Sequence, residues 1–191
     1  MLAAWMPLVV ALTLAAPQPA LPPAAHAGLE RVVADTEAAR AEWAPRLARM
    51  IRAGALRLKE QRAVPPTQRD QWYIQLHRGV PVEGAEVWRR IDGATLVGAE
   101  GIIYKDIDVN PVPKLTRKEV LDALGALEPG TPGPSRPPDL VVLPTAEGGY
   151  ALAYRARVFT GVRLTTYYLD AATAAVIVKE EAAPVPPPAS R

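Results

Sequence analysis

The chain has no cysteine, so neither a disulfide framework nor thiol chemistry is available to it, and no lipoprotein-type cysteine follows its N-terminal apolar run. It has two histidines, His26 and His77, which are too few and too far apart for a thermolysin-type H-E-x-x-H centre. A catalytic zinc site of that type cannot form. The first 27 residues lack Lys, Arg, Asp and Glu, and beyond the short run Pro7–Ala16 no segment approaches the roughly 20 apolar residues of a spanning helix. The net charge of +2 is too small to argue for nucleic acid.

What is present begins with an export pattern. PLVVALTLAA followed by Ala25-His26-Ala27 reads as a secretory signal over residues 1–27, with Gly28 as the expected mature N-terminus. An uncut apolar anchor is the alternative. The expected location is therefore secreted or in the cell envelope, without membrane contact by the mature domain. About half of the residues are apolar, which excludes wholesale disorder, and stability has to come from burial alone. Many of the 21 prolines sit in the signal region, in Pro129–Pro138 and in Pro184–Pro188.

Between Leu29 and Leu58 the residues Val32, Val33, Ala39, Trp43, Leu47, Met50 and Ile51 recur at helical spacing, which predicts a helical segment over 28–64. Pro45 should interrupt or kink it. Arg46, Arg49, Arg52, Arg57, Lys59 and Arg62 face a single acid, Glu60. A solvated helix face is the expectation for this stretch; docking on anionic lipid or an acidic partner is the alternative.

Past Pro65-Pro66 the period changes to two. Trp72, Ile74 and Leu76 alternate with Tyr73, Gln75 and His77; Arg78–Pro81 forms a turn, Val82–Ile91 is extended, and Asp92-Gly93 leads into Ala94–Tyr104. This predicts an antiparallel meander over 65–113. Thr116 and Glu119 then form a capping box, Leu115 and Val120 a staple, and Val120, Leu121, Leu124 and Leu127 one apolar stripe, so a helix should end before Pro129. Strands are expected at Leu140–Leu143, Tyr150–Phe159, Arg163–Leu169 and Ala174–Lys179, with a turn at Asp170–Thr173. The class is α+β: a helical segment, then two antiparallel sheet units with a helix between them.

Other chemistries fail on inspection. Asp106-Ile107-Asp108-Val109-Asn110 opens like an EF-hand loop, but Pro111 stands at the glycine position and Arg117 at that of the bidentate Glu. Glu83 and Glu86 do not share a strand face, which argues against a paired acid/base site. Ser135 and Ser190 have no positioned His or acid. His77 reads as a surface or packing residue, and Trp72, Trp88, Tyr154, Tyr167 and Tyr168 as sheet packing, with a partner anchor at one or two of them as the alternative.

The run Tyr73–Val87 (YIQLHRGVPVEGAEV) resembles the propeptide motif of fungalysin/thermolysin-type metalloproteases, in which a glutamine strand enters a Gly-Val-Pro-Val-x-Gly-(Ala/Gly)-Glu hairpin. Ile91–Gly93 and Gly98–Gly101 are similar to its later strands. Leu143-Pro144, Tyr150–Arg155 (YALAYR) and Tyr167–Thr173 (YYLDAAT) resemble the PepSY-type half of the same propeptides. His77 stands where an aromatic is usual, Arg89 and Arg90 where a His is common, and Ala174 in place of a turn glycine. The resemblance implies an FTP-like β domain at 65–113, a PepSY-like α+β domain at 114–181 and a Pro-rich tail at 182–191. Gln75, Gly79, Val80, Pro81, Gly84, Glu86, Tyr154, Tyr168 and Asp170 would be fold-motif residues.

It also implies a function without catalytic residues, metal or cofactor. The domain would bind and inhibit a secreted zinc metalloprotease catalytic domain, in cis or trans, and assist its folding. Lys179, Glu180 and Glu181, at the start of the C-terminal segment, are the candidate protease contacts. A free-standing extracellular or envelope interaction module is the alternative, favoured by the absence of a catalytic domain before Arg191; a fragment of a longer precursor is the third reading.

Overall fold

The computed structural model describes residues 26–127, 129, 133–134, 136–159 and 163–182. The apolar run Pro7–Ala16, Ser135, Ser190 and the tail beyond residue 182 lie outside the described residues. Among the described residues, nine strands and two helices follow in the order β1 (Leu29–Val33), α1 (Glu37–Arg52), β2 (Leu56–Val64), β3 (Gln68–His77), β4 (Val80–Asp92), β5 (Thr95–Tyr104), α2 (Arg117–Leu127), β6 (Asp139–Pro144), β7 (Tyr150–Phe159), β8 (Leu164–Asp170) and β9 (Val176–Glu181). The α+β class and the meander β3–β4–β5 match the sequence reading.

The N-terminal segment differs from it. Residues 28–64 are not one helical stretch: only Glu37–Arg52 is helical, flanked by strands β1 and β2. Thr36 caps α1 by accepting the Ala39 N–H at 3.2 Å. A Schellman closure ends it: Ala55 N–H donates to the Met50 carbonyl (2.9 Å), Gly54 N–H donates to that of Ile51 (3.1 Å), and Gly54 takes the left-handed φ of 71°. The helix runs through Pro45, whose missing N–H would have bonded the Ala41 carbonyl; both residues are exposed, so water can serve that carbonyl. Trp43 and Leu47 turn inward and pack with Val32, Leu56, Tyr73, Val87, Ile91, Leu96, Ala99 and Ile103. The basic stretch is accordingly divided, with Arg46, Arg49 and Arg52 on α1 and Arg57, Lys59 and Arg62 on β2.

The expected two sheet units are joined into one nine-stranded sheet through β4, which runs in the order β1-β5-β4-β6-β7-β8-β9, with β3 also on β4 and β2 on β3. All pairings are antiparallel except Val82↔Val142, a parallel bridge between β4 and β6. The join is made by a bulge. On β3, Ile74 faces Glu86 and Leu76 faces Pro81, so the single residue Gln75 stands opposite four, Val82 to Ala85. Gly84, with φ 73°, sits in that bulge and lets β4 leave one half of the sheet for the other.

Side-chain alternation places the helices on opposite faces. Ile103 of β5 packs with α1, whereas its neighbours Ile102 and Tyr104 pack with Val82 and Val142. Leu152 adjoins both that cluster and the one formed by Val120 and Leu124 of α2 with Tyr154, Ala156, Val158 and Leu169. The α2 cap is the reciprocal box expected: Thr116 N–H donates to Glu119 Oε2 (2.7 Å) and Glu119 N–H to Thr116 Oγ1 (3.3 Å). Val120 and Leu124 are buried while Leu127 is exposed, so the inward stripe is narrower than the sequence pattern.

Candidate functional site

Part of the motif, Gln75, Val80, Pro81 and Gly84, lies at the junction of the two sheet halves, whereas Glu86, Tyr154 and Asp170 lie elsewhere. Where β4 bulges away, the end of β5 loses a backbone partner, and the side chain of Gln75 supplies one: its Nε2 donates to the Tyr104 carbonyl (2.6 Å), and its Oε1 accepts the Tyr104 N–H (2.8 Å). Gln75 is buried, so this amide-to-backbone pairing satisfies two main-chain groups that water cannot reach. Gly79, with φ 90°, follows Arg78, with φ 48°, in a two-residue turn between the paired His77 and Val80, the geometry of a type I′ hairpin. Val80 packs beside Val82 and Tyr104, and Pro81 pairs with Leu76. Glu86 is exposed and meets Lys59 at 2.6 Å. His77 Nε2 lies 3.0 Å from the Val109 carbonyl, a packing role.

The bulge also sends Glu83 across the junction. Its carboxylate accepts from Arg155 of β7 at 2.9 and 3.1 Å, and Arg155 reaches Asp139 of β6 at 3.3 Å. Tyr168 of β8 lies opposite Arg155 in the register and Val178 of β9 lies opposite Tyr168. Burial, together with the Glu83 and Glu180 charges, raises the Tyr168 hydroxyl far above its ordinary range. Glu180 of β9 joins the same group: burial first, then the Glu83 charge, pushes its carboxyl up. Burial would lower Arg155, but Glu83 and Asp139 hold it above its usual value. Arg155 therefore ties Glu83 of the bulge to Asp139 of β6, and the Tyr168 hydroxyl and the Glu180 carboxyl lie close to Glu83 in the same group.

Tyr154 lies on the other face, where its hydroxyl donates to the Leu115 carbonyl (2.9 Å) and fixes the start of α2. Asp170 closes the β8–β9 turn by accepting at Oδ1 from Ala172 N–H (2.9 Å), Thr173 N–H (2.9 Å) and Thr173 Oγ1 (3.0 Å). Ala174 takes the left-handed φ of 59° there, at the position where the resembling motif has glycine.

Lys179, Glu180 and Glu181 lie in β9, paired on one side with Tyr167, Thr166 and Thr165 of β8. β9 ends the strand order, so among the described residues its far edge faces no strand. Lys179 Nζ sits 5.4 Å from the Tyr167 ring centre and Glu181 lies 3.5 Å from Arg163. Lys179 and Glu181 are exposed and Glu180 is half-buried, so the three expected contacts divide into two outward groups and one inward.

Sequence reasoning missed His26. It is buried, its Nδ1 accepts the Gly28 N–H (3.1 Å), and its Nε2 consequently donates to the Gly149 carbonyl (2.7 Å). Its ring packs edge-on to Tyr104 (5.2 Å) and against Tyr150 (4.6 Å). A cut after Ala27 would remove this residue from the fold. No local pattern marks it, because the burial is supplied by residues more than 75 positions away. Among the described residues, no group of three or more His, Cys, Asp or Glu could hold a metal ion, and no helix is long and apolar enough to cross a membrane.

Fold and junction thus define an α+β domain whose polar groups staple its own sheet. No protein-family model matches the chain, and no curated protein does. Among solved structures it is similar to the Bacillus megaterium YpeB C-terminal domain, at 16% identity and a TM-score of 0.40, over 74% of this chain. The similarity spans 63% of that chain, less than two thirds of its length.

Proposed function

We propose that this chain is an exported, non-catalytic binding domain of the thermolysin-type propeptide kind, which occupies a zinc metalloprotease catalytic domain, inhibits it and assists its folding, in cis or trans. One observation carries the reading: Gln75, Gly79 and Gly84, the residues on which the motif resemblance rests, are the ones that build the β3–β4 hairpin and turn β4 from one sheet half into the other. The motif and the fold therefore depend on the same residues. The contact region is the open edge of β9 at Lys179 and Glu181. Binding the native protease in preference to its unfolded chain would both stabilise and occlude it.

The test is a titration of a thermolysin-like protease with this protein, with a serine protease as control. Saturable inhibition of the metalloprotease alone is expected, weakened when Lys179 and Glu181 are replaced by Ala; equal effects on both enzymes would reject the reading. A free-standing interaction module is the second reading. It is favoured by the solvent-side face of β3 and β4, where Trp72 stands directly opposite Trp88, with the Arg62 guanidinium 5.1 Å from the first ring and that of Arg90 5.5 Å from the second.

A further inference from the structure

We propose that the open edge of β2 is a docking strand for an extended acidic polypeptide segment, a surface separate from the β9 edge. β2 is nine residues long and pairs only with β3, so among the described residues its far side presents a row of backbone N–H and C=O groups without a strand partner. Seven consecutive residues, Arg57 to Ala63, are exposed.

The charge along this edge is one-sided. From Arg49 to Val64 there are five cations, Arg49, Arg52, Arg57, Lys59 and Arg62, against one acid, Glu60. Arg49 and Arg52 occupy the last turn of α1, and the Schellman closure at Gly54 leads straight from them into β2. None of Arg49, Arg52 and Arg57 has an acidic partner among the described residues. Lys59 and Arg62 meet Glu86 and Glu60 in exposed ion pairs, which exchange readily with competing carboxylates.

Like charges on an edge repel a second copy of that edge, and this same row would attract a strand bearing Asp or Glu. Strand addition supplies the remaining recognition through main-chain hydrogen bonds. A lipid headgroup or a phosphodiester backbone could use the charges but not the ladder, which is why an acidic polypeptide is the occupant the edge fits.

The experiment uses the full chain and two fluorescent nine-residue peptides of alternating Val/Glu and Val/Lys, read by anisotropy, with anionic phosphatidylserine vesicles as a third arm. Amide hydrogen exchange with and without peptide locates the contact. Saturable binding of the acidic peptide, slowed exchange within residues 57–63 and a loss of about tenfold in affinity for Arg57→Glu with Arg62→Glu are expected. Hydrogen exchange on the unsubstituted chain stands even if that variant folds poorly. Equal binding of both peptides, no binding of the acidic one, protection confined to β9, or binding of the vesicles alone would overturn the proposal.

Discussion

Gln75 shows how much one side chain does at the junction. Its amide replaces a missing strand for Tyr104, so Gln75→Ala should strand a buried N–H and a buried carbonyl and destabilise the fold by about 2–4 kcal/mol, measured by urea unfolding. The strand carrying it was legible from the period of two, but this role was not: the sequence shows a polar residue alternating with Trp72, Ile74 and Leu76, whereas the fold buries Tyr73 and Gln75 and leaves the apolar set half-exposed. Burial of a glutamine is decided by a bulge in the next strand, which no local window contains. Ala174 gives a case of the opposite sign. An L-residue at φ 59° carries a steric cost that glycine lacks, so Ala174→Gly should stabilise by about 0.5–1 kcal/mol after the entropy of the added glycine is counted, seen as a raised melting temperature.

Elements divide by how local their determinants are. α2 was readable because its capping box, staple and stripe all lie within one dozen residues, and the contacts follow that pattern. The N-terminal helix was overextended because the apolar spacing continues past its end; Gly54 after Arg52 was the stop signal, and the alternation Leu56, Arg57, Leu58, Lys59 was the sign of a strand. The β9 strand carries a prediction about pH. Because burial and Glu83 raise the Glu180 carboxyl, the folded state disfavours its ionisation, so this group costs stability as pH rises above its ordinary value of 4.5. Glu180→Gln should raise the melting temperature at neutral pH, and that gain should vanish below about pH 4.5. Asp70 works in the other direction: Arg90, bonded to it at 2.7 and 2.8 Å, holds its carboxyl low, so the stability it contributes is present at neutral pH and lost as pH falls through the acid range. Arg90→Gln should therefore flatten the acid side of the stability profile, measured by thermal unfolding across pH.

At the scale of the whole molecule, the described residues fold as one sheet with the helices on opposite faces. His26 makes the N-terminal boundary a structural question: a chain starting at Gly28 loses two hydrogen bonds and a buried ring and should be about 2–3 kcal/mol less stable than one starting before His26, by chemical denaturation. The junction joins the half that carries the hairpin motif to the half that carries YALAYR and YYLDAAT through β4. Arg155, from the second motif, holds Glu83, from the first. Mutual dependence of that kind suits a domain that must present a rigid edge to a partner. The most direct measurement is a titration of a thermolysin-like zinc metalloprotease with the full chain, alongside a serine protease. Saturable inhibition of the metalloprotease alone, reduced when Lys179 and Glu181 are both changed to Ala while the melting temperature is unchanged, is the predicted result; no binding to any of several such proteases, or inhibition indifferent to those two residues, would contradict it.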